Sequence, residues 1–251
     1  MPETPDSCDN ETMKLKAQGL ALSFGGVRAL DGVDFWVPPG GAVGLLGQNG
    51  SGKTTLLNVL TGQLMPQAGS VLFDGAEMIG RKPEAFAKAG IGRVFQSVQI
   101  FPRLSVVENL LASQIGGCGR RGADAEAARQ ILDRVGLGGM AGLPARDISY
   151  GHQRLLEIGM VLAARTQLIL LDEPTAGLSP AMVERMMEVL RLVNAAGVAL
   201  VIIEHETDVV FGLCDTVWVM NEGRIIARGS PEAIRRDPQV LALYLGEALP
   251  C

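Results

Sequence analysis

Residues 47–55 read GQNGSGKTT and match the spacing G-x-x-x-x-G-K-S/T of a phosphate-binding loop. The glycines of this segment let backbone N–H groups close around a polyphosphate, because no Cβ blocks the approach. Lys53 is placed to reach the terminal phosphates, and the Thr54 hydroxyl is placed to bind Mg²⁺. A chance glycine turn with a solvated lysine is the alternative. We predict that a nucleoside triphosphate is bound by Gly47, Gln48, Asn49, Gly50, Ser51, Gly52, Lys53, Thr54 and Thr55.

An acidic pair, Asp172 and Glu173, follows the apolar run at residues 168–171. A carboxylate at the exposed end of a buried strand can hold the water ligands of Mg²⁺, and we assign this role to Asp172. Glu173 is then placed to orient the attacking water and accept its proton, and a positioned general base typically contributes about 10²–10⁴-fold in rate. Such a pair by itself is usually a solvated strand end. Downstream of a phosphate-binding loop, it indicates the second half of a hydrolytic site.

Two further polar residues follow apolar runs. Gln96 comes after residues 91–95, and its amide is able to bind Mg²⁺ or to position the water. His205 comes shortly after residues 199–203 and is able to hydrogen-bond a γ-phosphate. Taken alone, a glutamine or a histidine at such a position more often hydrogen-bonds to neighbouring groups and has no catalytic role. Both become catalytic candidates because of the motifs around them.

The secondary structure that must position these residues is an α/β arrangement. Residues 41–46 predict a buried strand and Lys53–Leu60 a helix, whose N-terminus carries partial positive charge next to the loop. Other buried strands alternate with helices, which favours a mostly parallel sheet covered on both faces. Short alternating strands near the N-terminus fit an antiparallel sheet beside this core; they lie at residues 20–24, 33–37 and 70–73, the last ending at the turn Asp74-Gly75.

Residues 98–164 predict a helical insertion in this core. Ser105 and Glu108 have the spacing of a capping box, residues 116–122 form a loop rich in glycine and arginine, and residues 123–135 predict a second helix. A third helix begins near Gly151. The segment 148–153, ISYGHQ, opens that helix and offers a second N-terminus suited to an anion. A simple N-cap by Ser149 is the alternative.

Composition limits the class of protein. A chain of 251 residues with 47% hydrophobic residues suits one large domain, here residues 13–251, behind a disordered polar tail at residues 1–12. The net charge of −5 argues against nucleic acid as a partner, and four scattered cysteines without C-x-x-C spacing predict reduced thiols. The sequence shows no signal peptide, and its apolar runs are far shorter than the about 18 residues that a membrane span needs. Any work at a membrane would depend on partner subunits.

Taken together and in order, these motifs resemble the ATPase subunit of an ABC (ATP-binding cassette) transporter. The family order is an aromatic residue, the phosphate loop, a glutamine loop, a signature, an acidic strand end and a switch histidine. The matching positions, within residues 15–246, are Phe24, residues 47–55, Gln96, residues 149–153, Asp172 with Glu173, and His205.

The resemblance implies an α/β fold, with a P-loop (RecA-like) core, an antiparallel β-subdomain and an inserted α-helical subdomain. It implies ATP and Mg²⁺ as cofactors, with Phe24 stacking on adenine. The metal would be held by Thr54, Gln96 and Asp172, and hydrolysis would use Glu173, His205 and Gln96.

The resemblance also implies partners. Two ATPase subunits, identical or different, would enclose two ATP molecules, with Ser149, Tyr150, Gly151 and His152 of one subunit facing the ATP of the other. Transmembrane permease subunits would be driven by this dimer, and a solute-binding protein would act upstream. The protein would therefore be peripheral, on the cytoplasmic face of the inner membrane.

The sequence departs from the usual family pattern at two signature positions and resembles one branch of the family. The signature usually reads L-S-G-G-Q; here Tyr150 replaces a glycine and His152 the glutamine, whereas Ser149 and Gly151 are kept. The segments at residues 92–96, 149–151, 176–180 and 244–247 resemble importers of branched-chain amino acids. Importers of urea and related amides share much of this pattern.

Two other classes of protein are less consistent with the sequence. Soluble ABC ATPases of translation or DNA repair typically carry two cassettes or long coiled-coil insertions, and the chain has neither. A P-loop kinase would leave residues 149–153 and His205 unexplained. An ATPase that powers a transporter is therefore the preferred interpretation.

The Lys53→Ala substitution is expected to abolish nucleotide binding, because it removes the ammonium group that faces the terminal phosphates. Calorimetric titration with ATP measures the effect. Lys82→Ala, outside every motif named above, is the matched control. Unchanged ATP affinity in Lys53→Ala would contradict the assignment of the phosphate loop.

Overall fold

The computed structural model describes residues 13–116 and 123–245. The predictions for residues 1–12, for most of the loop at 116–122 and for the chain beyond residue 245 lie outside the described residues. In chain order the strands and helices are β1 (Leu15–Phe24), β2 (Val27–Val37), β3 (Ala42–Gly47), α1 (Lys53–Leu60), β4 (Ala68–Phe73), β5 (Ala76–Glu77), α2 (Pro83–Ala89), β6 (Ile91–Val94), α3 (Val106–Gly116), α4 (Ala125–Val135), α5 (Tyr150–Ala163), β7 (Leu168–Asp172), α6 (Pro180–Ala195), β8 (Ala199–Ile203), α7 (Thr207–Leu213), β9 (Thr216–Asn221), β10 (Arg224–Gly229), α8 (Pro231–Arg236) and α9 (Pro238–Leu245).

Four strands near the N-terminus form an antiparallel sheet in the order β2-β1-β4-β5. The turn between β4 and β5 contains Asp74 (φ 47°) and Gly75 (φ 75°). Two consecutive residues in the left-handed region make the tight turn that matches the twist of a hairpin. The predicted antiparallel subdomain is confirmed, and its strands β1 and β2 extend further toward the N-terminus than the sequence pattern indicated.

The second sheet contains six strands in the order β10-β9-β3-β8-β7-β6. All neighbouring strands pair in parallel except β10, which is antiparallel to β9. Every residue of β3, β7 and β8 is buried. In β7, Leu168 and Leu170 pack with α1 and the antiparallel sheet, whereas Ile169 and Leu171 pack with the helices α3 to α6. The predicted parallel sheet with both faces covered is confirmed.

Three helices, α3, α4 and α5, lie between β6 and β7 in the chain, where the sequence predicted a helical insertion. The capping box is present: Ser105 N–H donates to Glu108 Oε2 (2.7 Å), and Glu108 N–H donates to Ser105 Oγ (3.3 Å). Asp124 caps α4, and Gly136 ends it with φ 79°. The apolar faces of the three helices share one core with a face of the parallel sheet.

The sequence pattern missed three helices. The helices α2, α7 and α9 have eight residues or fewer, which is too short for a helical period alone to be recognised, whereas α1, also of eight residues, follows directly on the phosphate loop. Ser179 occupies the N-cap position of α6, but its side chain makes no capping hydrogen bond. Pro180 begins that helix because its ring fixes a helical φ. Among the described helices, none is long and apolar enough to cross a membrane.

One cysteine, Cys214, lies within the described residues, where it is free and buried. Burial raises the pKa of its thiol to about 12, with a smaller contribution from the neighbouring carboxylate of Asp215. A thiol with such a pKa stays protonated and unreactive near neutral pH. The prediction of a buried, reduced cysteine is therefore confirmed for Cys214.

Leu170→Ala is expected to lower the free energy of unfolding by about 2–5 kcal/mol, because Leu170 is fully buried in β7 and truncation leaves a cavity. Urea titration of the nucleotide-free protein measures this change. Leu192→Ala is the matched control, since Leu192 is 59% exposed on α6 and its loss should stay within about 0.5 kcal/mol. Equal effects of the two substitutions would contradict the burial of β7 between the two cores.

Candidate active site

Four parallel strands end at one edge of the sheet, and a predicted site residue follows each of them. The phosphate loop follows β3, Asp172 ends β7, Gln96 follows β6 and His205 follows β8. Asp172 lies opposite Ile203 in the pairing of β7 with β8, so the acidic strand end and the histidine lie on adjacent strands. Because carboxyl ends of parallel strands meet at one edge, the topology brings these residues to a common site.

The phosphate loop depends on its glycines for its own packing. Gly47, Gly50 and Gly52 all have positive φ, at 150°, 79° and 107°. A Cβ on Gly47 would lie 2.2 Å from the carbonyl oxygen of Met220, and one on Gly52 would lie 2.4 Å from that of Ala29. Both contacts are with backbone and cannot yield cheaply. The loop therefore requires glycine at these positions even before a ligand is considered.

Lys53 lies inside the curve of the loop. Its Nζ donates to the carbonyl oxygens of Gly47 (2.7 Å) and Gln48 (2.9 Å), and its side chain is buried at the start of α1. Burial lowers the pKa of Lys53, while the carboxylates of Glu173 and Asp172 oppose that shift. A partly desolvated ammonium at a helix N-terminus suits a polyphosphate, since the Nζ donors and the N–H groups of the helix start would face the same anion.

Two further observations test whether the loop fits a phosphate group and a metal ion. Ser51 Oγ is buried and has no hydrogen-bond partner in the described part of the chain, so its hydroxyl is available to hydrogen-bond a ligand in the loop. The proposed metal ligands are the exposed hydroxyl of Thr54, the amide of Gln96 and the carboxylate of Asp172. All three donors are hard oxygen ligands, which Mg²⁺ prefers. The residues therefore fit ATP with Mg²⁺.

Asp172 is held by a partner that the sequence analysis missed. The Arg93 guanidinium donates to Asp172 Oδ2 (3.0 Å), and the two side chains are only 7% and 9% exposed. Arg93 also donates to Asn58 and lies over the Phe95 ring at 4.7 Å. An arginine within the predicted strand at residues 91–95 was the available signal, because a charged residue in a buried strand requires a partner.

The Glu173 carboxylate contacts the two other catalytic candidates, Gln96 and His205. Gln96 Nε2 donates to Glu173 Oε2 (3.0 Å), and His205 Nε2 lies 2.9 Å from Glu173 Oε1. Because an ionised carboxylate only accepts, His205 Nε2 carries the proton in this contact. Three residues that are far apart in the sequence thus form one hydrogen-bonded group.

The buried carboxylate of Glu204 connects the segments that carry Glu173 and His205. Glu204 Oε1 accepts hydrogen bonds from the backbone N–H (2.8 Å) and the hydroxyl (2.6 Å) of Thr175. Burial raises the pKa of Glu204, and the Thr175 hydrogen bonds partly oppose that shift. This contact ties the loop after Glu173 to the residue before His205. Nothing in the sequence pattern linked Thr175 with Glu204.

The signature residues form the first turn of α5. Ser149 is the N-cap residue, and its Oγ accepts from His152 N–H (3.4 Å) and lies 2.9 Å from His152 Nδ1. Ser149 and Tyr150 are exposed, whereas Gly151 is buried where a Cβ would lie 2.6 Å from Met182 Cγ. The N-cap that the sequence analysis offered as an alternative is present. The role of these residues toward a partner's ATP stays a prediction.

Phe24 lies at the end of β1 and is 49% exposed. Phe24 is therefore not part of the core. An accessible aromatic ring at a strand end suits stacking on a base, which stays a prediction for this residue.

Comparison with known proteins assigns the family. The family model described as "ABC transporter" matches residues 30–176, which is more than half of the chain. The chain belongs to the ABC transporter family. A second model, described as "Branched-chain amino acid ATP-binding cassette transporter", matches residues 224–249 of this ABC ATPase.

Relatives and solved structures agree with that assignment. The protein LivG of Escherichia coli K12, a "high-affinity branched-chain amino acid transport ATP-binding protein", is 36% identical over 93% of this chain and 98% of its own. BraF of Pseudomonas aeruginosa, with the same description, is 35% identical with the same coverage. The crystal structure of the ADP conformation of MJ1267, an ATP-binding cassette of an ABC transporter, matches with a TM-score of 0.85 and 32% identity over 94% of this chain and 99% of that one. The predicted family and fold are confirmed.

Arg93→Met is expected to lower the free energy of unfolding by about 3–5 kcal/mol, because it leaves the buried Asp172 carboxylate without its partner. Chemical denaturation of the nucleotide-free protein measures the loss. Arg146→Met is the control: its pair with Asp147 is 64% and 55% exposed, and such surface pairs contribute about 0–1 kcal/mol. If Arg93→Met were no more destabilising than its control, the buried ion pair would be wrong.

Proposed function

We propose that this ABC ATPase binds and hydrolyses ATP to power the import of branched-chain amino acids through partner permease subunits. The hydrolytic role is supported above all by the convergence of Gln96 and His205 on the Glu173 carboxylate. That carboxylate lies close enough to Lys53 for the charges of Glu173 and Lys53 to interact. The solute is supported by the family model that matches the C-terminal part and by the similarity to LivG and BraF.

The phosphate loop supplies the nucleotide site in this proposal. Backbone N–H groups of the loop and the Lys53 ammonium hold the phosphates, while Phe24 offers its exposed ring to the adenine. Thr54, Gln96 and Asp172 hold the Mg²⁺ that accompanies ATP, and this ion, when bound, neutralises charge on the phosphates. The Arg93 guanidinium keeps the Asp172 carboxylate oriented toward that position.

Glu173 performs the proton transfer in this proposal. Its carboxylate orients the attacking water and accepts a proton from it. The Gln96 amide and the His205 ring each contact one of the two carboxylate oxygens and so restrain the position of the base. The Glu173 side chain is 20% exposed, so solvent reaches its carboxylate only in part.

The proposed partners follow from the family and from the position of the signature. Ser149 and Tyr150 are exposed at the start of α5, and we propose that they, with Gly151 and His152, face ATP bound by a second ATPase subunit. That subunit is either a second copy or a related chain. The assembly would lie peripherally at the cytoplasmic face of the inner membrane, receive solute from a solute-binding protein through the permeases, and have no nucleic-acid partner.

Glu173→Gln is expected to retain ATP binding and to lower ATP turnover by about 10²–10⁴-fold, because glutamine keeps the shape of the side chain but cannot accept the proton. Steady-state hydrolysis and calorimetric titration with ATP measure the two effects. Glu184→Gln, an exposed residue on α6, is the matched control.

The same variant also tests the solute. In the source organism, replacement of the gene by the Glu173→Gln form should abolish uptake of labelled leucine, while the Glu184→Gln form should not. Unchanged hydrolysis would remove Glu173 from the catalytic role. Normal leucine uptake with a loss of urea uptake would instead assign the transporter to the amide-importing branch.

A further inference from the structure

Arg154, in the second turn of α5, is a fully buried arginine with an exposure of 0%. Its Nη1 donates to the carbonyl oxygen of Phe95 (2.5 Å) and to Glu157 Oε2 (3.2 Å). Its Nη2 donates to the carbonyl oxygens of Gln96 (2.6 Å) and Glu173 (3.1 Å). One guanidinium group thus joins α5, the segment after β6 and the segment after β7.

The charge of Arg154 is costly to bury. Its counter-ion is Glu157, whose pKa is raised by burial even though Arg154 and backbone N–H groups oppose that shift. Replacing a buried ion pair by apolar residues of similar volume is often neutral or stabilising. Stability therefore does not explain an arginine here. What the planar fork of an arginine provides, and an apolar side chain cannot, is simultaneous donation to several fixed carbonyl oxygens.

The backbone of Glu173 needs such a restraint. Glu173 has φ 50°, in the left-handed region that residues with a side chain seldom adopt. Strain of this kind persists only where the surroundings hold the residue in place. The Glu173 N–H donates to the carbonyl oxygen of Ile203 (2.9 Å), and its own carbonyl oxygen accepts from Arg154. Both polar groups of this peptide are therefore fixed.

The side chain of Glu173 is connected to the same arginine by a second route. Gln96 Nε2 donates to Glu173 Oε2, and the carbonyl oxygen of Gln96 accepts from Arg154. Arg154 therefore binds the main chains of two residues whose side chains bind each other. A shift of about 1 Å in such a group can lower a rate by about 10²-fold.

We propose that Arg154 is a positioning residue for ATP hydrolysis, which holds Glu173 and Gln96 in their relative positions. The inference rests on the proposed role of Glu173 as the general base. Arg154 acts on the reaction through Glu173 and Gln96, and it anchors both to the helix that the signature residues begin.

Arg154→Met tests this proposal, with Arg185→Met, a partly exposed arginine on α6, as the matched control. Arg154→Met is expected to lower kcat by about 10²-fold while the Kd for ATP stays unchanged, because the phosphate loop is intact. If this variant does not fold, the double variant Arg154→Met with Glu157→Met removes the whole ion pair and is expected to fold with the same loss of kcat. Normal kcat in either variant would overturn the proposal.

A double-mutant cycle separates positioning from a structural role. Gln96→Ala is expected to lower kcat by itself. Adding Arg154→Met to the Gln96→Ala variant should then lower kcat much less than Arg154→Met does in the unmodified protein, because both substitutions release the Glu173 carboxylate. Additive losses would overturn the proposal. If Glu173→Gln itself kept full turnover, the proposed role of Glu173 as general base would be wrong. Failure of that role can thus be distinguished from failure of the positioning role of Arg154.

Discussion

The parallel pairing of β6, β7, β8 and β3 is the constraint on which the rest of the structure depends. The strands β3, β7 and β8 are buried on both faces, and all four strands end at one edge of the sheet. Their carboxyl ends therefore place a glycine loop, two carboxylates, a glutamine and a histidine within reach of one another. Alternate side chains of each strand enter two different cores, which prevents a slip in register. A slip by one residue would move Asp172 from the site and bury its charge in a core.

The site gathers charge in a place where charge is costly. Lys53, the Arg93–Asp172 pair and the Arg154–Glu157 pair are all buried or nearly so, and each is held by a small number of fixed partners. In such surroundings an unpartnered group costs more than in water, which limits the conformations that the site can adopt. The same condition prepares the loop for an anion, because the carbonyl oxygens that Lys53 Nζ contacts are neutral and leave its positive charge at the helix N-terminus.

The helical insertion is connected to the hydrolytic group by more than apolar packing. Its helix α5 begins at exposed signature residues and, one turn later, carries Arg154 into contact with the segments of Gln96 and Glu173. In a transporter ATPase, a movement of this helix would therefore reach Glu173, the proposed general base, through hydrogen bonds. Glu204 and Thr175 connect the histidine side of the site in a similar way.

The sequence by itself determined the parts of this protein whose chemistry is local. The phosphate loop is set by glycines that permit positive φ and by the lysine and threonine that follow, and Asp172, Glu173, Gln96 and His205 each follow an apolar run that predicts a buried strand. The helices α2, α7 and α9 escaped because they span too few turns to show a period and, unlike α1, do not follow a phosphate loop. Only the tertiary structure decided that Arg93 holds Asp172, 79 positions away, and that Arg154 holds Glu173. Strand order and helix docking create those contacts, and no spacing within one segment encodes which distant segment will lie beside it.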